Sequence, residues 1–304
     1  MIMASWQAHV TTWILKLTLK PKLARAQGPL DVRKLMKPRA TPVPKEIVIT
    51  PTRVGGVDGE WAQGPSATGA VLLYLHGGGY VACSPTTHRP ITCAFADQGF
   101  RVYAPDYRMA PEHSFPAAIQ DAVAVYKALL GDGIPAGKIV VGGDSAGGGL
   151  ALAMMLSLRV AGVPLPAAAV LFSPWTDLAA TGESLRTNDK RCAMFRGGRI
   201  ADGGRFYLGS ADAKNPLASP LYADLAGLPP MIIHVGADEV LLDDSTRLAE
   251  KARAAGASVE IKIWPVVPHV WQIVPNMPEA RQSIEEASAF LTARIEKGAQ
   301  HAGV

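Results

Sequence analysis

The sequence predicts an α/β fold with a mostly parallel central sheet flanked by helices and carrying a helical cap. Three observations predict it. Short, almost unbroken apolar runs recur along the chain, helical patterns separate them, and one run ends in a serine set between glycines. Strands buried on both faces read as continuous Val, Ile and Leu, and their alternation with helices is the pattern of a parallel sheet.

Taken in order, the chain opens with Trp6, Val10, Trp13 and Leu17 at helical spacing, interrupted by Gln7, His9, Lys16 and Lys20. That is an amphipathic helix, since a signal peptide would keep an unbroken apolar core. After Pro21 a stretch rich in Pro, Lys and Arg leads to about Pro44, and Glu46 to Thr50 begins a strand bounded by Pro51. Further apolar runs lie at Ala70–Leu75, Phe100–Ala104, Ile139–Val141, Ala167–Phe172, Met231–Val235 and Val259–Trp264. Between Pro116 and Leu130 the residues Ile119, Val123, Tyr126 and Leu130 share a helical face, with Ser114 as the capping candidate. Leu150 to Val160 reads as the helix following the serine.

About sixty residues separate Phe172 from Met231, more than a crossover helix needs. Leu178 to Leu217 therefore reads as an inserted cap segment, completed by the N-terminal helix. The expected organisation is residues 1–45 as the N-terminal part of the cap, 46–177 and 218–304 as the two parts of the main domain, and 178–217 as the insertion.

Composition narrows the function. Hydrophobic residues make up 48% and charged residues 18% of the 304, the proportions of a globular protein. A scattered net charge of +4 gives no footprint for nucleic acid. The basic stretches Arg33–Arg39 and Lys190–Arg205 are broken by proline or by Asp202 and read as solvated surface. Cys83, Cys93 and Cys192 form no CxxC pair and leave an odd thiol, which suits a reducing compartment; no metal motif occurs. No stretch is long and apolar enough for stable membrane insertion, so a soluble, cytoplasmic protein is expected.

The chemistry is concentrated at Gly143-Asp144-Ser145-Ala146-Gly147. A strand turning sharply into a helix would hold Ser145 in a strained conformation with its hydroxyl exposed, and only glycine would fit two positions to either side. The helix N-terminus would aim free N–H groups at whatever Ser145 attacks. A serine hydroxyl is a weak nucleophile at neutral pH and needs an imidazole within hydrogen-bond reach, which in turn needs a carboxylate. Both should follow later strands, in the order Ser, acid, His. The loop Gly236-Ala237-Asp238-Glu239 follows one apolar run, and Asp238 is the expected acid. Glu239, Asp243 and Asp244 are its rivals, the last two falling where the next helix starts and where acids more often cap. His269 follows the last apolar run in a loop and is the expected base.

His76-Gly77-Gly78-Gly79-Tyr80 directly follows another run. Glycines let backbone N–H groups approach the negative oxygen formed when a carbonyl is attacked. Gly77, Gly79 and Ala82 also fit a loose dinucleotide fingerprint. That reading fails because Pro85 follows too soon for a helix and no acid sits about 20 residues on at a strand end.

HGGGY, the stretch Asp106-Tyr107-Arg108-Met109-Ala110-Pro111-Glu112, GDSAGGG and the Asp238 and His269 loops together resemble the hormone-sensitive lipase family of α/β-hydrolases, over roughly residues 45 to 300. The resemblance implies the α/β-hydrolase fold and a carboxylesterase acting on short- to medium-chain esters, with no cofactor and a small-molecule ester as partner. It implies an oxyanion hole from Gly78, Gly79 and Ala146, a structural His76, and an Asp106–Glu112 segment that braces the site through buried ion pairs. Asp144 reads as a local hydrogen-bond anchor. A homodimer through the sheet edge is a possibility that members of the family offer. His269-Val270-Trp271 departs from the family's small residue after the histidine.

Trp6, Trp13, Met194, Phe195, Phe206 and Tyr207, with Tyr80, are expected to line an apolar pocket limiting acyl length, because they are large apolar residues near the serine or in segments without a place in the sheet. Two other functions share the scaffold. A ligand receptor of this family would have lost the histidine, and His269 is present; an amidase or peptidase would use the same triad on a poorer leaving group.

Overall fold

The computed structural model describes residues 4–37 and 42–301, with side chains through residue 296. Its centre is one eight-stranded sheet in the order β1-β2-β4-β3-β5-β6-β7-β8. The strands are β1 Val48–Val54, β2 Val57–Gln63, β3 Val71–Leu75, β4 Arg101–Pro105, β5 Ile139–Asp144, β6 Ala169–Phe172, β7 Met231–Gly236 and β8 Val259–Trp264. From β4 through β8 neighbours run parallel, whereas β2 is antiparallel to both β1 and β4.

The expected apolar runs became β3 to β8. The first strand differs. It starts two residues later than Glu46 and runs through Pro51, which stands opposite Glu60 in the register. Proline cannot donate to a ladder, and β1 tolerates it as an edge strand. β2, whose sequence is VDGEWAQ, carried no apolar run; it is antiparallel and only partly buried, so tertiary pairing outweighs its charged composition.

The helices are α1 Trp6–Thr18, α2 Lys20–Arg25, α3 Pro29–Leu35, α4 Arg89–Asp97, α5 Ala117–Gly131, α6 Ala146–Val160, α7 Ser184–Thr187, α8 Ile200–Leu208, α9 Leu242–Ala254 and α10 Pro278–His301. Helix α5 begins at Ala117 without a side-chain cap; Ser114 contributes its carbonyl to the Ala117 N–H instead. Helix α6 begins four residues before Leu150, directly at the serine.

Alternate residues of the buried strands serve two cores. Val71, Leu73, Val141, Leu171 and Ile233 pack with α5, α6 and α9 on one face. Leu72, Tyr74, Val140, Val170 and Ile232 pack with α4 and α10 on the other. This period of two lets a continuous apolar run fill both sides at once. Among the described residues the long gap between β6 and β7 holds α7, α8 and short turns, with no strand. Helix α8 and α1–α3 lie over the carboxyl ends of the parallel strands, where the loops after β3, β5, β7 and β8 converge.

Candidate active site

Ser145 sits between β5 and α6 at φ 52°, ψ −122°, a backbone conformation that L-residues rarely adopt. Close packing maintains it. A Cβ on Gly147 would come within 2.0 Å of the Leu75 carbonyl oxygen, and one on Gly143 within 2.4 Å of the Gly147 oxygen. The Ser145 N–H donates to the Phe172 carbonyl at 2.9 Å, and its own carbonyl accepts from Gly148, Gly149 and Trp175. The expected elbow is therefore present, and Ala146, as the first residue of α6, has an N–H without an intrahelical acceptor.

The acid beside the histidine is Glu239, and the expectation of Asp238 is corrected. The Glu239 side chain is buried, at 2% exposure, and its Oε2 accepts from His269 Nδ1 at 2.5 Å. Its Oε1 accepts from the Ser173 hydroxyl at 2.7 Å and the Gly236 N–H at 2.6 Å. Asp238 points outward, one-third exposed, to Arg191 Nε at 3.3 Å. The strand end explains the choice: Gly236 is the last residue of β7, and the turn it opens directs residue 239 inward, where Ser173 after β6 completes its hydrogen bonding. With Nδ1 donating to Glu239, Nε2 is the free ring nitrogen: it is buried, has no hydrogen-bond partner among the described residues, and belongs to a ring that lines the same cavity as Ser145.

Gly78 and Gly79 line this cavity as well, both at positive φ, 116° and 65°. A Cβ at Gly78 would strike the Ala82 carbonyl at 2.1 Å, so the tight loop requires glycine there. Beneath it Asp144 is an anchor, as expected. Its Oδ1 accepts from the Tyr74 hydroxyl at 2.9 Å and the Gly77 N–H at 3.1 Å, and Oδ2 lies 3.3 Å from His88 Nε2. Burial opposes its ionisation, but the charge and hydrogen bond of His88 and the bond from Tyr74 outweigh it and hold the carboxyl below its ordinary value.

His76 stacks on Tyr107 at 4.3 Å and shares Nδ1 with the Gly77 carbonyl at 2.7 Å; burial pushes its pKa down to about 3, so it stays neutral. The Tyr107 hydroxyl donates to the His76 carbonyl at 2.7 Å. The Asp106–Glu112 segment does brace this loop, though its ion pairs differ from the buried ones expected: Arg108 meets Asp121 at 2.7 Å, and Glu112 meets Arg33 of α3 at 2.6 Å near the surface.

The cavity above Ser145 measures about 370 Å³. Of the residues expected to line it, Met194 and Phe195 do, with Phe195 edge-on to His269 at 5.0 Å. The others do not. Trp6 and Trp13 face solvent at 71% and 63% exposure, and Phe206 is also on the surface. Tyr80 and Tyr207 stack on each other at 3.7 Å in the core. The wall instead comes from Leu15, Leu19 and Leu23, with Val32 and Met36 of the following segment, Trp175, Ile200 and Leu241. Leu15, Leu19 and Leu23 recur every four residues, a second apolar face that the tryptophans on the opposite face obscured.

Comparison with known proteins agrees with this geometry. A family model described as the alpha/beta hydrolase fold matches residues 72–273. An acetyl-hydrolase of Streptomyces hygroscopicus is 45% identical over 258 residues, covering 84% of this chain and 85% of its own. An esterase of Acinetobacter venetianus is 35% identical over 292 residues, covering 94% and 96%. Among solved structures, EstE5 soaked with p-nitrophenyl butyrate superposes with a TM-score of 0.91 at 41% identity, over 96% of this chain and all of the other. An esterase from the bacterial hormone-sensitive lipase family gives 0.87 at 40% identity, over 97% and 100%.

Proposed function

Because the chain belongs to the hormone-sensitive lipase family of α/β-hydrolases and is a carboxylic ester hydrolase, we propose that it cleaves short- to medium-chain esters through an acyl-enzyme on Ser145. The observation that carries this reading is the buried Glu239–His269 pair, whose free Nε2 edge borders the cavity of an elbow serine.

In the cycle, Ser145 Oγ attacks the ester carbonyl as His269 Nε2 takes its proton. The Glu239 carboxylate stabilises the imidazolium, and the N–H groups of Gly78, Gly79 and Ala146 receive the negative oxygen. The imidazolium then protonates the departing alcohol as the C–O bond breaks. Water, deprotonated by the same imidazole, attacks the acyl-enzyme, and its collapse returns the proton to Ser145 and releases the acid.

Helices α1–α3, α7 and α8 act as the cap, and their aliphatic lining supports an acyl chain of limited length. A volume of about 370 Å³ falls at the small end of ligand pockets, roughly 300–1,000 Å³. The acetyl-hydrolase and the butyrate-soaked EstE5 among the similar proteins support the same range.

Incubation with a fluorophosphonate followed by peptide mapping tests the reading. Label is expected on Ser145 alone and is expected to vanish in His269→Ala. Label on another residue, or undiminished label without the imidazole, overturns it. Turnover of a butyrate ester without turnover of the matching anilide separates the esterase from an amidase.

A further inference from the structure

Helix α1 has two apolar faces, and only one of them is used by the cavity. Leu15, with Leu19 at the helix end, faces the cavity, while Trp6, Val10, Trp13, Ile14 and Leu17 form a stripe on the outside. Exposure along the stripe is 71%, 43%, 63%, 46% and 57% in that order. Residues at i, i+4, i+7 and i+11 share a helix face, so this is one continuous apolar surface with two tryptophans. Isolated exposed apolar residues are ordinary, but a contiguous stripe of this kind marks an interaction site.

Charge identifies what it meets. The first 30 residues contain Lys16, Lys20, Lys22 and Arg25 and no Asp or Glu. Lys16, Lys22 and Arg25 are exposed beside or just beyond the stripe. Lys16, Lys20, Arg25, Lys190 and Arg196 surround a second cavity of about 430 Å³. Asp189 offsets part of this charge through its 2.8 Å pair with Arg196, and Lys20 is occupied by the carbonyls of Asp189 and Cys192. Among the described residues, Lys16, Arg25 and Lys190 form no ion pair. The two cavities share Ala24 and Arg196 in their walls, so the basic one adjoins the apolar one above Ser145.

We propose that the outer face of α1 and this basic margin dock the protein peripherally on an anionic lipid surface, with the tryptophans seated in the interface. An amphipathic helix with Trp on its apolar side and Lys or Arg at its flanks lies in the plane of the interface and gains from anionic lipid. A second copy of this chain would bring like charges together across the same face. Among the described residues no helix is long and apolar enough to span a bilayer, so the attachment is at the surface. The cavity face of the same helix then opens beside the lipid, where an amphiphilic ester resides.

The test uses the full-length protein with vesicles of phosphatidylcholine alone or with 30% phosphatidylglycerol, read by co-sedimentation and tryptophan emission. Trp61, Trp175, Trp264 and Trp271 are buried or half-buried, so a blue shift on adding vesicles reports Trp6 and Trp13. Binding to the anionic vesicles is expected, with at least a tenfold loss in Trp6→Ser/Trp13→Ser, a comparable loss in Lys16→Glu/Lys22→Glu/Arg25→Glu, and a further loss in 0.5 M salt. Turnover of a soluble butyrate ester should be unchanged in the tryptophan variant, whose side chains lie outside the cavity. Equal binding to both vesicle types overturns the proposal. So does a dimer in analytical ultracentrifugation that becomes monomeric in Trp6→Ser/Trp13→Ser, which would assign the face to a second copy.

Discussion

Around Ser145 the main chain is enclosed by main-chain oxygens so closely that a methyl group at Gly143, Gly147 or Gly78 has no room. Above it, α1–α3 face the cavity largely with Leu and Val side chains and are tied down at a few polar points. The Ser5 N–H and hydroxyl reach Glu279, Lys20 reaches the Asp189 and Cys192 carbonyls, and Arg33 reaches the Val81 and Ala110 carbonyls. Floor and roof thus use different physics. Hydrogen bonds in a buried floor set positions to a fraction of an ångström, as bond formation demands. Apolar contact in the roof is non-directional and tolerates exchange of side chains, which suits control of substrate size.

If the floor is held by hydrogen bonds to particular atoms, Glu239→Gln should be the most damaging conservative change outside the Ser and His themselves. An amide cannot compensate an imidazolium, and kcat/KM is expected to fall about 10³–10⁴-fold. Asp238→Asn removes only a surface pair with Arg191 and should stay within about threefold. Reversal of these two effects in steady-state ester hydrolysis would break the comparison at its centre.

The floor should also carry the acid sensitivity of the fold. Burial lowers the pKa of His76 to about 3 and of His234 to about 4, against an ordinary value of 6.5. Both bind protons more readily when unfolded. Their contribution to stability is complete above pH 6.5 and is lost as pH falls towards 4 and 3. The urea midpoint is therefore expected to drop between pH 7 and pH 4, with a smaller drop in His76→Gln. A His76→Gln profile identical to that of the parent protein would remove the floor from this role.

An effect confined to acyl length sharpens the roof. Leu19→Trp fills part of the cavity and should lower kcat/KM for the longest accepted acyl group about tenfold, the scale on which one or two methylenes are discriminated. Acetate turnover should be unchanged. An equal fall across chain lengths would mean that Leu19 supports the floor and does not measure the acyl chain.

The Glu239 and tryptophan results show where sequence reading reached its limit. A loop after β7 was legible as the home of the acid, because strand order and the position of His269 demanded one there. Which of two adjacent carboxylates turns inward depends on the turn after Gly236 and on Ser173 from another strand, neither of which is local. In α1 the helical period was legible from Trp6, Val10, Trp13 and Leu17, yet the face carrying Leu15 and Leu19 is the one that lines the cavity. Periodicity identifies a face without saying what it meets. β2 was invisible for the related reason that an antiparallel strand near the edge draws its stability from its partners.

By itself, then, the order of residues determined the α/β alternation, the elbow at Ser145, the glycine loop after β3 and the place of His269 in the loop after β8. Each rests on short-range constraints: strand and helix periods, the steric need for glycine, and a fixed succession of loops. Tertiary structure alone decided that Glu239 and not Asp238 meets His269, and that leucines rather than tryptophans cover the serine. Those outcomes turn on which surface is removed from water when separate segments pack, a quantity that no local pattern contains.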